Sequence, residues 1–396
     1  MAKMRICFVL QAVAIASGLF GCATSHRSES LPRPRTDIAA AVPTKASVVS
    51  SGPAANGAGP HYDLDTVRIS VEHRQPGDEG ELVAVAARDL FVDAMDEFKR
   101  GEKSVAIARF RSLVQQFPES QFAPIALFNV AAIYDEKRET SNTILALQEL
   151  VSGYPHTPKG IAGQLFLVGI LAQERRYPEA LTTVTTLLAN PNLSYPELLE
   201  AQARHGYVLL ELNRLEDARV GLLAAIATWR KIPKLDDQYF VAMAHYYLGE
   251  IEHRKFAKMQ IRLPDEQLRI DLDAKAAVAA RAYDLWREAL RFRHAYWATA
   301  SGYQMSQIFL ELWRATVLAP FPTKMNVVAR NEYVKEVHHR VRQHLEKALE
   351  GHQTNVELAK AYSVETEWSN ASKQRAAEIM RILANEGAGI YERPAS

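Results

Sequence analysis

His338, His339 and His344 crowd one stretch of the chain with Glu336 beside them, residue types that can hold a divalent metal. A helix brings ligands onto one face at i, i+3 or i, i+4. His339 and His344 are five apart and point to different faces. What remains is a solvated, charged helix face with Glu332, Glu336 and Arg340 at i, i+4 spacing, and no metal is expected. His245 and His253, eight apart, read as packing residues. Cys7 and Cys22 are too few for a disulfide scaffold or a cysteine zinc site. No glycine-rich run precedes a Lys-Ser or Lys-Thr pair, and no Gly-x-Ser-x-Gly turn occurs. No catalytic residue, no cofactor and no small-molecule substrate are therefore assigned, and the expectation is a protein that is not an enzyme.

The thiol of Cys22 has another use. Lys3 and Arg5 precede a largely apolar run from Ile6 to Phe20. At 15 residues it falls short of the ~20 that span a bilayer and fits the apolar region of a secretory signal peptide. The run ends Leu19-Phe20-Gly21-Cys22, which resembles a bacterial lipobox. That resemblance implies cleavage after Gly21 and attachment of acyl chains, palmitate among them, to Cys22. Ala23 stands where an Asp would resemble an inner-membrane retention signal, so the resemblance implies the periplasmic face of the outer membrane. Two or three acyl chains hold a protein firmly, at ~0.8 kcal/mol per buried methylene.

Residues 23–60 read as a disordered linker. Of these 38 residues, 22 are Ala, Ser, Pro or Gly and none is aromatic, too little apolar surface to offset ordering entropy. Residues 61–87 read as irregular, although Val67, Ile69 and Val71 alternate as a strand would. The whole chain carries 47 Lys and Arg against 46 Asp and Glu, a balance that removes any global field for nucleic acid.

From Arg88 the apolar spacing turns helical, and Pro118, Pro155 and Pro191 recur at intervals of 37 and 36 residues. Ahead of them stand Ala106, Phe110 and Leu113, then Thr143, Leu147 and Leu150, then Ala180, Val184 and Leu187. Each trio falls on one face of a helix that the proline ends. Leu127, Val130, Ala131 and Tyr134 mark a preceding helix. Gly206 with Ala218, Leu222 and Ala225 marks a fourth unit, and Tyr246 to Ile251 with Gly249 a fifth. This pattern resembles the tetratricopeptide repeat family. The resemblance implies an all-α superhelix of helix-turn-helix units over residues 88–294, with atypical long helices from 295 to 385 and a flexible tail from 386 to 396. A helix is expected from Asp265 to about Phe292, where Ala282, Trp286 and Ala289 keep second-helix spacing. Two more are expected over about 329–350 and 354–385.

All five tryptophans, Trp229, Trp286, Trp297, Trp313 and Trp368, lie in the last 168 residues. Tetratricopeptide arrays bind partners in a concave groove, and Trp, Tyr and Arg anchor interfaces. The partner-binding residues expected here are Tyr246, Tyr247, Trp286, Tyr296, Trp297, Tyr303 and Trp313. Glu119-Ser120-Gln121-Phe122 resembles the catalytic glutamate motif of lytic transglycosylases, but the glycine- and methionine-containing segment that follows in that family has no counterpart. The stretch reads as a linker between repeats.

Signal, acylated cysteine and repeats together resemble the tetratricopeptide lipoproteins of envelope-spanning gliding-motility or secretion complexes. The units from Phe110 to Ile170 also resemble the lipoprotein of β-barrel assembly machines. A cell-wall or division-coordinating binding module is a further alternative. The implied partners are other envelope proteins, met through the groove, and the membrane, met through Cys22.

Overall fold

The computed structural model describes residues 67–72, 81–323 and 325–394. The signal run, Cys22 and the 23–60 segment lie outside the described residues. Those described fall into two units that divide between Pro191 and Asn192, inside the span 88–294.

The first unit opens with an antiparallel pair, β1 (Val67–Glu72) and β2 (Glu81–Ala86), in register from Val67 opposite Ala86 to Glu72 opposite Glu81. The alternation of Val67, Ile69 and Val71 thus lies on a strand within the stretch read as irregular. Chain then runs directly into three helical hairpins. These are α1 (Ala87–Lys99) with α2 (Lys103–Gln116), α3 (Phe122–Glu136) with α4 (Thr140–Gly153), and α5 (Pro158–Gln173) with α6 (Tyr177–Leu188). Each hairpin also packs on the next, α2 on α3 and α4 on α5.

Four hairpins turn in the same way. Gly101, Arg138, Arg175 and Asn213 all sit at positive φ, between +57° and +87°, spaced by 37, 37 and 38 residues. At Arg138 the N–H donates to Asp135 O at 2.8 Å, and the next N–H, of Glu139, donates to Tyr134 O at 2.9 Å. Arg175 and Asn213 repeat both bonds. These satisfy carbonyls that a helix end would leave unpaired. The repeat period is therefore written in backbone conformation as well as in prolines.

The second unit holds three longer hairpins and a closing helix. They are α7 (Tyr195–Glu211) with α8 (Leu215–Trp229), α9 (Tyr239–Lys258) with α10 (Asp265–Leu290), and α11 (Ala295–Val317) with α12 (Val327–Ala361). Helix α13 (Glu367–Gly387) packs on α12 and α11. Starts are capped as their sequences ask: Ser194 and Glu197 form a capping box on α7, Asn326 accepts from Ala329 N–H on α12, and Thr366 caps α13.

The second-helix trios are core. Ala106, Phe110, Leu113, Thr143, Leu147, Leu150, Ala218, Leu222 and Ala225 have no exposed surface. The small residues on first helices allow close approach. A Cβ at Gly206 would stand 2.6 Å from Leu222 Cγ, and one at Gly249 would stand 2.4 Å from Trp286 Nε1. The break expected near 350 is absent. Helix α12 continues through Gly351 to Ala361 because Asn355, inside it, donates to Thr299 O at 3.0 Å and to Ser372 Oγ at 2.9 Å. Tertiary bonds there outweigh the helix cost of a glycine, about 1 kcal/mol.

Candidate functional site

The seven aromatic residues expected at a partner groove lie mostly inside the second unit. Tyr246, Trp286, Trp297 and Trp313 have no exposed surface, Tyr247 and Tyr303 are buried, and only Tyr296 is half-buried. Trp297 is the hub, with ring centroids of Tyr296, Tyr246, Tyr239 and Tyr247 at 4.9, 5.1, 5.3 and 5.6 Å. Trp368 from α13 joins Tyr246 and Tyr303 to this cluster. Trp286 and Trp313 stand apart from it, against His253 and His338. A side chain with no exposed surface does not touch a partner, so the expectation is corrected: these rings glue first helices to one another. Tyr296 is spoken for as well, its hydroxyl donating to Glu367 Oε1 at 3.0 Å.

What the first helices of this unit do offer is a series of polar bridges. Helices α7, α9, α11 and α13 neighbour one another in that order. Arg254 on α9 donates to Glu211 and, at 2.6 Å, to Leu210 O on α7. Gln304 on α11 reaches back to α9, donating to Glu250 Oε1 at 2.6 Å and the Tyr246 hydroxyl at 3.1 Å. His253 meets Glu311 Oε2 at 2.7 Å, and Gln307 donates to Glu311 Oε1 at 3.2 Å. Arg314 donates to Glu378 Oε1 on α13 at 2.6 Å, and Arg375 holds the other oxygen. The charged side chains are part-open, at 24% for Glu211, 26% for Arg254, 17% for Glu311 and 33% for Arg314.

Their electrostatics differ along the series. Burial pushes the Glu250 carboxyl above the ordinary carboxylate range, against the pull of His253 and Arg254. At His253 burial works downward, but the hydrogen bond and charge of Glu311 prevail and raise it, so the ring is charged at neutral pH. Burial alone would raise Glu378; the two arginines hold it below its usual value. The arrangement is a row of fixed, directional donors and acceptors rather than a proton-transfer centre. Spacing alone could have marked it. Gln304, Gln307 and Glu311 recur at i, i+3, i+7 on an otherwise apolar helix, as do Glu250, His253 and Arg254 on theirs.

The remaining candidates are structural. Glu119 is exposed on the turn between α2 and α3, and the hydroxyl of Tyr154 donates to Pro118 O at 2.7 Å to hold that turn. His338 and His344 are buried, contrary to the solvated face expected, because α11 and α13 pack on that side of α12. Glu332 and Glu336 do keep the charged face, paired with Lys335 and Arg340, and His339 beside them is exposed. His245 is half-buried and pushed down to about 4 by burial. Among the described residues no group of three or more His, Cys, Asp or Glu has metal-ligand geometry, and no helix is long and apolar enough to cross a membrane.

No family model matches the sequence, and no curated protein does. Several solved helical-repeat structures resemble it at low identity. MamA (residues 41 to the end) from Desulfovibrio magneticus RS-1 is 13% identical, with 51% of this chain covered, 96% of that one and a TM-score of 0.35. The apo form of RapI is 13% identical over 76% of this chain and 99% of that one, with a TM-score of 0.40. A tetratricopeptide repeat protein from Parabacteroides merdae ATCC 43184 is 12% identical over 74% and 98%, with a TM-score of 0.35. The fold class stands on the chain's own geometry: an array of helix-turn-helix units of tetratricopeptide type, with turns and core trios at the repeat period.

Proposed function

We propose that this chain is a lipid-anchored helical-repeat scaffold on the periplasmic face of a bacterial outer membrane. It binds protein partners and helps assemble an envelope-spanning complex of the gliding-motility or secretion kind. The observation that carries the binding half is the row of part-open polar groups on α7, α9, α11 and α13. It is held in place by an aromatic interior, and rigid, pre-positioned hydrogen-bonding groups bind with little ordering cost. The anchoring half rests on Leu19-Phe20-Gly21-Cys22 and the charged start before it.

The test is crosslinking in intact envelopes with the tagged chain, followed by mass spectrometry. Motility or secretion components should be captured, and an Arg254→Glu, Arg314→Glu double variant that keeps its helicity should lose them. Recovery of barrel-assembly proteins instead would make this the assembly lipoprotein. A double variant that retains every partner would remove the first-helix row from the interface. Cys22→Ser should abolish lipid labelling, and normal labelling in that variant would refute the anchor.

A further inference from the structure

The end of the chain is clasped to α12 by one ring. After α13, residues 388–394 fold back, and His338 sits between them and the helix with 1% of its surface exposed. Its Nδ1 lies 2.6 Å from Glu386 Oε1, and its Nε2 lies 2.8 Å from the backbone oxygen of Glu392. The Tyr391 ring packs on it at 5.0 Å, and Trp313 of α11 closes the other side edge-on at 5.5 Å. Further along, Arg393 donates to Asn331 Oδ1 at 2.9 Å.

Both partners of the ring are acceptors. A neutral imidazole has one N–H, and only the imidazolium donates from both nitrogens. Arg342 donates to the second oxygen of Glu386 at 3.3 Å, which favours the carboxylate and places the shared proton on the ring. The charged groups facing His338 are Glu386 from α13 and Arg342 from its own helix. Arg393 of the tail turns to Asn331, and the nearest charge on α11, Arg314, is engaged by Glu378. We infer that residues 388–394 form a proton-dependent clasp, docked on α12 while His338 is an imidazolium and released when it loses that proton. On deprotonation either the Glu386 carboxylate or the Glu392 oxygen faces a ring lone pair, inside a site too buried for water to fill the gap. The two other buried histidines of α12 do not share the role. His344 and His352 are pushed down by burial to about 4 and about 3 and remain neutral from pH 5.5 to 8.5. The inference is independent of what the repeats bind.

Hydrogen–deuterium exchange by mass spectrometry on the full chain tests it, with rates corrected for the intrinsic pH dependence of amide exchange. Peptides over residues 386–394 should lose about tenfold or more of their protection between pH 5.5 and 8.5, while those from the middle of α13 hold theirs. A His338→Gln variant, unable to bond both acceptors, should show the unprotected tail at both pH values. Should that variant unfold, the wild-type profile alone decides. Tail protection that stays constant across the window relative to mid-α13 overturns the clasp.

Discussion

Replacing Gly249 by alanine adds one carbon at the tightest helix crossing of the second unit. That carbon would stand 2.4, 2.5 and 2.8 Å from Nε1, Cδ1 and Cε2 of Trp286, about 1 Å inside ordinary contact. The indole cannot retreat cheaply. It has no exposed surface, His253 packs edge-on against it at 5.6 Å, and His253 is fixed in turn by Glu311. Overpacking of this kind costs about 1–3 kcal/mol. Alanine returns almost 1 kcal/mol of helix propensity, so the net loss is about 1–2 kcal/mol. For a unit of this size that is a fall of roughly 2–8 °C in Tm. Tryptophan fluorescence is the assay, since all five tryptophans follow residue 192 and report on this unit alone. Gly387→Ala is the matched control: no atom lies within 4 Å of its added carbon, so the same substitution should cost nothing. A Gly249→Ala chain as stable as the wild type would refute the close crossing, and with it the register that places Gly249 against Trp286.

Arg138 and Arg175 hold φ at 60° and 57°, a conformation that costs a non-glycine residue about 1–2 kcal/mol. Allowing ~0.5–1 kcal/mol for glycine's greater chain entropy, Arg138→Gly and Arg175→Gly should each stabilise the first unit by about 0.5–1 kcal/mol, read by urea unfolding. A loss of stability in both would show that the arginine side chains matter more than their backbone. The acid limb is set by His344 and His352, held neutral in the fold at about 4 and about 3. The unfolded chain takes these protons near pH 6.5, so it binds more protons than the folded one, and stability falls as pH drops from about 6.5 towards 4. The upper limit is about 1.4 kcal/mol per pH unit for each ring. A His344→Leu, His352→Leu double variant should flatten that limb in denaturant melts across pH, and an unchanged slope would assign it elsewhere.

Much of the fold could be read from spacing because its core is local. Ala106, Phe110 and Leu113 point the same way whatever surrounds them, and each later trio repeats the geometry a repeat length on. The turns could not be read so directly. Arg138 and Arg175 carry the left-handed conformation that Gly101 and Asn213 carry by type, and arginine gives no hint of it. Packing of the hairpins imposes it, since without that turn the two helices could not lie antiparallel. Helix α12 shows the same dependence on distant residues. Gly351 reads as a stop until Thr299 and Ser372 supply bonds to Asn355 from helices far off in sequence.

The site was misread for a related reason. Helical periodicity tells which residues share a face but not what that face meets, and an aromatic stripe is equally suited to a partner and to a neighbouring helix. Here the neighbour is α11 or α13, reached from α9 across 50 to 120 residues of chain. Once Trp297 and Trp368 take up that face, the surface left to a partner is the adjacent stripe, with Arg254, Glu311 and Arg314. Those polar residues stand on helices whose other sides are apolar, so each must find a partner on folding or leave a polar group poorly solvated. They found one another across successive helices, Arg254 with Glu211, His253 with Glu311, Arg314 with Glu378. Bridges of this kind hold the charged ends in fixed positions at a part-open surface. A partner that met them would have to match that pattern of donors and acceptors, because an unmatched one would strip water from charges and return nothing. Selectivity among envelope proteins would then reside in the polar row, while the aromatic interior supplies the rigidity that keeps the row in register.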